Sequence, residues 1–349
     1  MMVKLIYNLG GGLPDPMVFP RSFSSPIIPF ERTLSFQDLD EELIRLLKYR
    51  GIDASKDEIL ITTGSIQGIF IFSNTLLNDG DKVALEYPTF AGAIRVFKSR
   101  NVIPVKLPVI PYYDINIKDK IKAVYTIPTG QNPTGIHMKL EDKKRILEMA
   151  EERDFFILED DAYGLLTPEE PTIKSLDKNG RVIYITTLSK VFSSGLRLGI
   201  MVAKPSLIEK FRDMKEEIDG GNSSISLSLL YGSLKDGSFW EGISRAKRIY
   251  EEKKVIMEEA LKKYLPEAEW TRPEGGLFFF IRVKGIDSDQ LQEKLARKVL
   301  ISPGTKFFFD GNGKEYLRLS FSYSTPNDIE KGIEIISQEI YEMKKNSKV

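Results

Sequence analysis

The stretch RVIYITTLSKVFSSGLRLGIMVA (181–203) decides how the rest of the chain is read. It opens on an apolar run at 181–186 and closes on a second at 199–203, and both read as buried strands. Between them lie small polar residues, one lysine (Lys190) and one arginine (Arg197). A lysine in a Ser/Gly-rich loop is by default a solvated charge. In an open α/β sheet, however, ligands bind beyond the carboxyl ends of the strands, and Lys190 comes directly after such a strand.

Upstream, the same grammar repeats. A strand at 58–62 (EILIT) is followed by Thr63, Gly64, Ser65 and a helix over 66–77. A strand at 82–87 precedes a helix at 91–99. A strand at 123–127 (AVYTI) leads into PTGQNPTG (128–135) and a helix at 139–153. A strand at 155–159 (FFILE) leads into Asp160, Asp161 and Tyr163. Short apolar strands alternating with amphipathic helices, including 38–49 and 207–219, predict an α/β fold: a mostly parallel sheet sandwiched by helices. After about residue 235 the order changes to a long charged helix (239–264), a strand (276–283), a helix (288–299), a strand (315–322) and a closing helix (326–344). That is a smaller α+β C-terminal domain. Residues 1–35 are rich in Gly and Pro and read as an irregular arm packing with the small domain, leaving 36–235 as the large domain and 236–349 as the small one.

Composition narrows the chemistry. Among 349 residues, 50 basic and 50 acidic side chains cancel, so no overall field recruits nucleic acid or a membrane. There is no cysteine, which excludes disulfides, thiolate nucleophiles and cysteine-held zinc. The single histidine, His137, is too little for a triad or a multi-histidine metal centre, and reads as a solvated surface group. No metal site is expected. Residues 1–10 lack the features of a secretory signal, so a cytoplasmic protein is expected. Proton transfer is left to lysine, tyrosine or carboxylate.

Four consecutive strand-end loops therefore gather polar groups on one rim, and each suits a phosphorylated aromatic aldehyde. Thr63-Gly64-Ser65 opens a helix, where free amides and the helix dipole favour a phosphate. Arg197 offers a planar fork for phosphate oxygens. Lys190 can form an imine once desolvated and deprotonated. Asp160 is placed to keep a pyridine nitrogen protonated, which makes the ring an electron sink. Asn132 and Tyr163 can hydrogen-bond a ring oxygen. Asp161, beside Asp160, is the alternative carboxylate and is expected to face away as a structural hydrogen-bonder.

EYPTF (86–90), QNPTG (131–135), EDDAY (159–163), TLSKVFSSGLRLG (187–199) and YLRLSFS (316–322) resemble the fold-type I aminotransferases. So do GGLPDPMVFP (11–20) and PEGGLFFF (273–280), which are similar to the group holding the 2-aminoadipate, kynurenine and broad-specificity enzymes. The likeness runs over nearly the whole chain, in order and spacing. It implies pyridoxal 5'-phosphate as cofactor, with Lys190 as the Schiff-base lysine, Asp160 as the pyridinium partner, and Tyr163 and Asn132 on the ring oxygen. It implies Phe90 stacked on the ring, and a phosphate cup of Gly64, Ser65, Ile66, Thr187, Ser189 and Arg197. Arg318 then clamps the substrate α-carboxylate, with Gly12 and Asn132 beside it. The implied reaction moves an amino group from an amino acid to a 2-oxo acid, commonly 2-oxoglutarate, in a twofold dimer.

Two departures stand out. Ile66 occupies a position where a glutamine is usual, so only its backbone amide can serve. The segment 34–38 (LSFQD) is shortened and lacks the tyrosine that usually reaches the partner subunit's phosphate. A carbon–sulfur β-lyase would use the same residues. A ligand-sensing regulatory domain reuses the same fold, but joined to a DNA reader that this sequence does not show.

Overall fold

The computed structural model describes residues 6–19 and 37–346. The first element is a two-residue strand, β1 (Tyr7–Asn8), followed by helix α1 (Gln37–Tyr49), β2 (Ile59–Thr62), α2 (Ser65–Leu76), β3 (Lys82–Tyr87), α3 (Ala91–Ser99) and β4 (Ile103–Pro108). Then come β5 (Ala123–Thr126), α4 (Leu140–Arg153), β6 (Phe156–Asp160), α5 (Ile173–Leu176), β7 (Val182–Thr187), β8 (Gly199–Val202), α6 (Pro205–Asp219) and α7 (Ser224–Asp236). Seven of these strands form one sheet in the order β2-β8-β7-β6-β5-β3-β4.

All pairings in this sheet are parallel except those of β8, which runs antiparallel to both β2 and β7. The reversal matters for the site. It brings the amino end of β8, and Arg197 just before it, to the rim where β2 and β7 end. The central strands carry apolar side chains on both faces, and both faces are covered. Leu60 and Met201 join one core cluster, while Ile59, Ile61, Ile200 and Val202 join another. Likewise Val83, Leu85 and Tyr125 pack on one side, and Ala84 and Val124 on the other.

The smaller C-terminal part begins with α8 (Ser238–Tyr264) and β9 (Glu269–Trp270). It continues through β10 (Phe278–Arg282), α9 (Ser288–Leu295), β11 (Val299–Leu300), β12 (Ser302–Pro303), β13 (Tyr316–Ser320) and α10 (Pro326–Asn346). Four strands form an antiparallel sheet, β12-β13-β10-β9. The arm is not wholly irregular, since β1 pairs in parallel with β11. Its Asp15 carboxylate is held by the buried Lys253 on α8. Among the described residues, no helix is long and apolar enough to cross a membrane.

Strand β4, helix α7 and the short α5, β9, β11 and β12 escape a reading of the sequence, and α9 stops at Leu295, short of the expected 299, where β11 begins. Strand β4 contains Pro104, Lys106 and Pro108, which argue against a strand, but it lies at the sheet edge, where proline is tolerated. Helix α7 is rich in serine, yet buries Leu227, Leu230 and Leu234. His137 also differs from expectation. It is partly buried, and its Nδ1 accepts the Gly130 amide at 2.9 Å. Burial pushes its pKa down, so the neutral ring suits an acceptor. The segment 34–36, where the usual tyrosine loop is missing, lies outside the described residues.

Behind the sheet rim, Arg50 Nε donates to Asp161 Oδ2 at 2.7 Å with both side chains fully buried. Tyr184 donates to the same oxygen at 2.9 Å. Asp161 therefore points away from the rim. Removing one partner strands a buried charge, which costs about 3–5 kcal/mol. Arg50→Ala is expected to lower unfolding stability by that amount in urea titration. A midpoint equal to wild type would contradict the weight placed on this pair.

Candidate active site

The rim of the large sheet, the arm and the small sheet enclose a cleft of about 310 Å³. Lys190, Asp160, Tyr163, Asn132, Phe90, Ser65, Ile66, Thr187, Ser189, Arg197, Gly12 and Arg318 all line it. Gly64 does not; it supports the wall from behind. Its φ is +85°, and a Cβ there would lie 2.6 Å from Arg197 Nη2. Only glycine lets the guanidinium come so close.

Lys190 ends a short turn that comes after β7. The Thr187 hydroxyl fixes the turn by accepting the Ser189 amide at 3.2 Å. The lysine Nζ donates to the carbonyl of Gly12 at 2.7 Å. Burial, and then the charges of Arg318 and Arg197, lower its pKa to about 8, against the pull of Asp160. The amine is thus far easier to deprotonate than an exposed lysine. Tyr250 on α8 secures the backbone here. Its hydroxyl donates to the Lys190 carbonyl and accepts the Asp15 amide, both at 3.2 Å.

Asp160 closes β6, 2% exposed. Its Oδ2 accepts the Tyr125 hydroxyl at 2.8 Å, whereas Oδ1 is buried without a partner among the described residues. Burial pushes its pKa up to about 7. A buried carboxylate oxygen left unpaired in a cleft wall is costly. A protonated ring nitrogen would satisfy it.

Arg318 on β13 is 8% exposed. Its Nη1 donates to Asn132 Oδ1 at 2.9 Å and its Nη2 to the Gly10 carbonyl at 2.8 Å. The guanidinium lies 3.9 Å from the Phe278 ring centroid and 4.8 Å from that of Phe307. Nε is buried and has no partner among the described residues. Such a held, half-satisfied fork suits a carboxylate. Tyr163 meets Phe278 edge-on at 6.0 Å, and Asn132 Nδ2 lies 3.4 Å from its hydroxyl.

At the other end, Arg197 adopts a left-handed φ of 54°, which costs roughly 1–2 kcal/mol for a residue with a Cβ. Its Nη1 lies 3.4 Å from both Ser189 Oγ and the Ser194 carbonyl. With Ser65 at the start of the twelve-residue α2, these groups form an anion cup. Gln67, one position past Ile66, does not reach into the cup. It caps the Thr63 amide at 2.6 Å and donates to Asp219 at 2.6 Å, bracing the loop from outside.

Sequence reasoning misses the supports. Glu86 is fully buried and accepts from Thr126, Tyr113, the Ile127 amide and Gln131 at 2.5–2.9 Å. It thereby fixes the loop carrying Asn132. In the sequence, Tyr125 is visible only as a strand residue, and Glu86 only as a strand residue that opens EYPTF, with no role attached. A carboxylate or phenol amid apolar neighbours is the one available signal.

The chain matches the family described as "Aminotransferase class I and II" over residues 30–336. It is 32% identical to the 2-aminoadipate transaminase of Thermus thermophilus, over 94% of this chain and 88% of that protein. It is 32% identical to aromatic-amino-acid aminotransferase 1 of Thermococcus litoralis, over 97% and 89%. The crystal structure of Pyrococcus horikoshii kynurenine aminotransferase, in complex with PMP, superposes with a TM-score of 0.88 at 33% identity, covering 97% of this chain and 91% of that one. An amine, an unpaired carboxylate oxygen and an anion site at either end thus meet in one cleft of a chain that belongs to the class I and II aminotransferases, among the fold-type I pyridoxal-phosphate enzymes.

Proposed function

We propose that this cleft transfers the amino group between an L-amino acid and a 2-oxo acid, with glutamate and 2-oxoglutarate as one pair. The observation that carries the reading is the convergence of Lys190, the unpaired Asp160 oxygen and the two anion-binding arginines on a single cavity. Pyridoxal 5'-phosphate fits these residues and, when bound, supplies an electron sink and a carrier for the amino group. Ser65, the Ile66 amide, Thr187, Ser189 and Arg197 hold its phosphate. Asp160 holds the ring nitrogen, Tyr163 and Asn132 the ring oxygen, and Phe90 packs on the ring.

The chain's own groups then divide the work. Arg318 binds the substrate α-carboxylate, oriented by Asn132 and the Gly10 carbonyl. The Gly12 carbonyl parks the Lys190 amine, which is lowered enough in pKa to exist partly neutral near pH 8. Neutral Nζ is the base that would take the proton from the substrate α-carbon, and once protonated it is the acid that would return one. Leu13 and Pro14 of the arm, with Ile66, supply apolar wall around the substrate side chain. The cleft lies between an arm (1–35), a large domain (36–235) and a small domain (236–349). Large apolar side chains stay exposed at Ile66 and Phe70, one turn apart on α2 beside the cleft, which supports a homodimer with the site near its interface.

Holoenzyme given glutamate and a panel of 2-oxo acids is expected to release 2-oxoglutarate, and Lys190→Ala to release none. Failure of every amino acid to donate would sink the reading. Arg318→Ala is expected to lower kcat/KM about a hundredfold, mainly through KM, because charge-assisted bonds to the carboxylate are lost; an unchanged KM would remove Arg318 from the carboxylate site. Sedimentation is expected to give a dimer that Phe70→Glu weakens. A wild-type monomer at working concentrations would refute that assembly.

A further inference from the structure

Tyr125 sits on β5, next to β6 in the sheet, and is 0% exposed. Phe97 packs against its ring at 5.6 Å and 60°. Packed in this way, the hydroxyl has a fixed direction. It donates to Asp160 Oδ2 at 2.8 Å. The other oxygen of that carboxylate has no partner among the described residues. The two oxygens are therefore divided: one belongs to an internal donor, the other to whatever fills the cleft.

We propose that Tyr125 is a positioning residue for Asp160, holding Oδ2 so that the carboxylate stays an acceptor with Oδ1 presented to the cofactor's ring nitrogen. This rests on the reading of Asp160 as the partner of that nitrogen. The surroundings make the role necessary. Burial drives Asp160 towards its neutral form, and the neighbouring carboxylates Asp161 and Glu86 drive it the same way. Against them stand the Tyr125 hydroxyl first and the Lys190 charge second. Burial also pushes the phenol's own pKa well up, so Tyr125 keeps its proton and remains a donor. A neutral Asp160 would lose its electrostatic hold on a protonated ring, and the proton on that nitrogen would lose its counter-ion.

The test removes one hydroxyl and compares two ligands. Tyr125→Phe apoenzyme is titrated with pyridoxal 5'-phosphate and with its carbocyclic analogue, in which a CH replaces the ring nitrogen. Affinity for the natural cofactor is expected to fall about tenfold, the scale of a hydrogen bond to a charged group. Affinity for the analogue is expected to stay within about twofold, because no proton on its ring depends on Asp160. Equal losses for both ligands, or none for either, would overturn the role given to Tyr125. If wild-type protein itself does not distinguish the two ligands, the reading of Asp160 fails and takes this inference with it. Should Tyr125→Phe fold poorly, Asp160→Asn serves as a background without a stranded carboxylate. Adding Tyr125→Phe to it is expected to leave cofactor affinity unchanged, and a further fall would overturn the proposal.

Discussion

Three cations and one carboxylate share a single cleft, and the surrounding structure is arranged to tolerate them. Lys190, Arg197 and Arg318 repel one another there, and Asp160 offsets only part of that charge. The imbalance has two consequences. Added to burial, which acts most strongly, it depresses the lysine, the one member of the three that can shed its proton near neutrality. It also leaves a positive surplus at both ends of the cavity, which is complementary to a ligand carrying a phosphate and a substrate carrying a carboxylate.

Holding such groups apart takes scaffolding outside the cleft. Arg318 is clamped between two phenyl rings and two oxygen acceptors. Arg197 is kept in a strained backbone state, against a glycine that leaves it room. Asp161, adjacent in sequence to Asp160, is turned the other way and neutralised by Arg50. Strand alternation explains how neighbouring aspartates serve opposite faces, one towards the ligand and one towards the buried back of the sheet.

Much of this is legible from the chain alone, for a physical reason. Buried parallel strands advertise themselves as apolar runs, and the loops at their carboxyl ends must share one rim. Lys190, Asp160 and Asn132 can therefore be assembled without coordinates. The direction of β8 cannot, because a four-residue apolar strand carries no mark of its polarity. Nor can the partners of Glu86 and Tyr125, which depend on register between strands distant in sequence. The edge strand β4 and the serine-rich α7 are hidden by residues that local preference disfavours and tertiary packing overrides. His137 departs from a surface role because its ring is claimed by a backbone amide across a turn, a contact no spacing announces.

The Glu86 hub divides the cavity wall into a part that cannot change and a part that can. Its bonds reach Thr126, the Ile127 amide and Gln131, so inserting or deleting a residue between them would strand a buried carboxylate. The loop that carries Asn132 is thereby frozen in length. Leu13 and Pro14 enter the wall from a strip held through its backbone, where the carbonyls of Gly10, Gly12 and Leu13 accept from Arg318, Lys190 and Ser322. The side chains at 13 and 14 can therefore be re-lettered while the backbone bonds of the strip, and the glycine at 12 that Phe278 crowds, stay as they are.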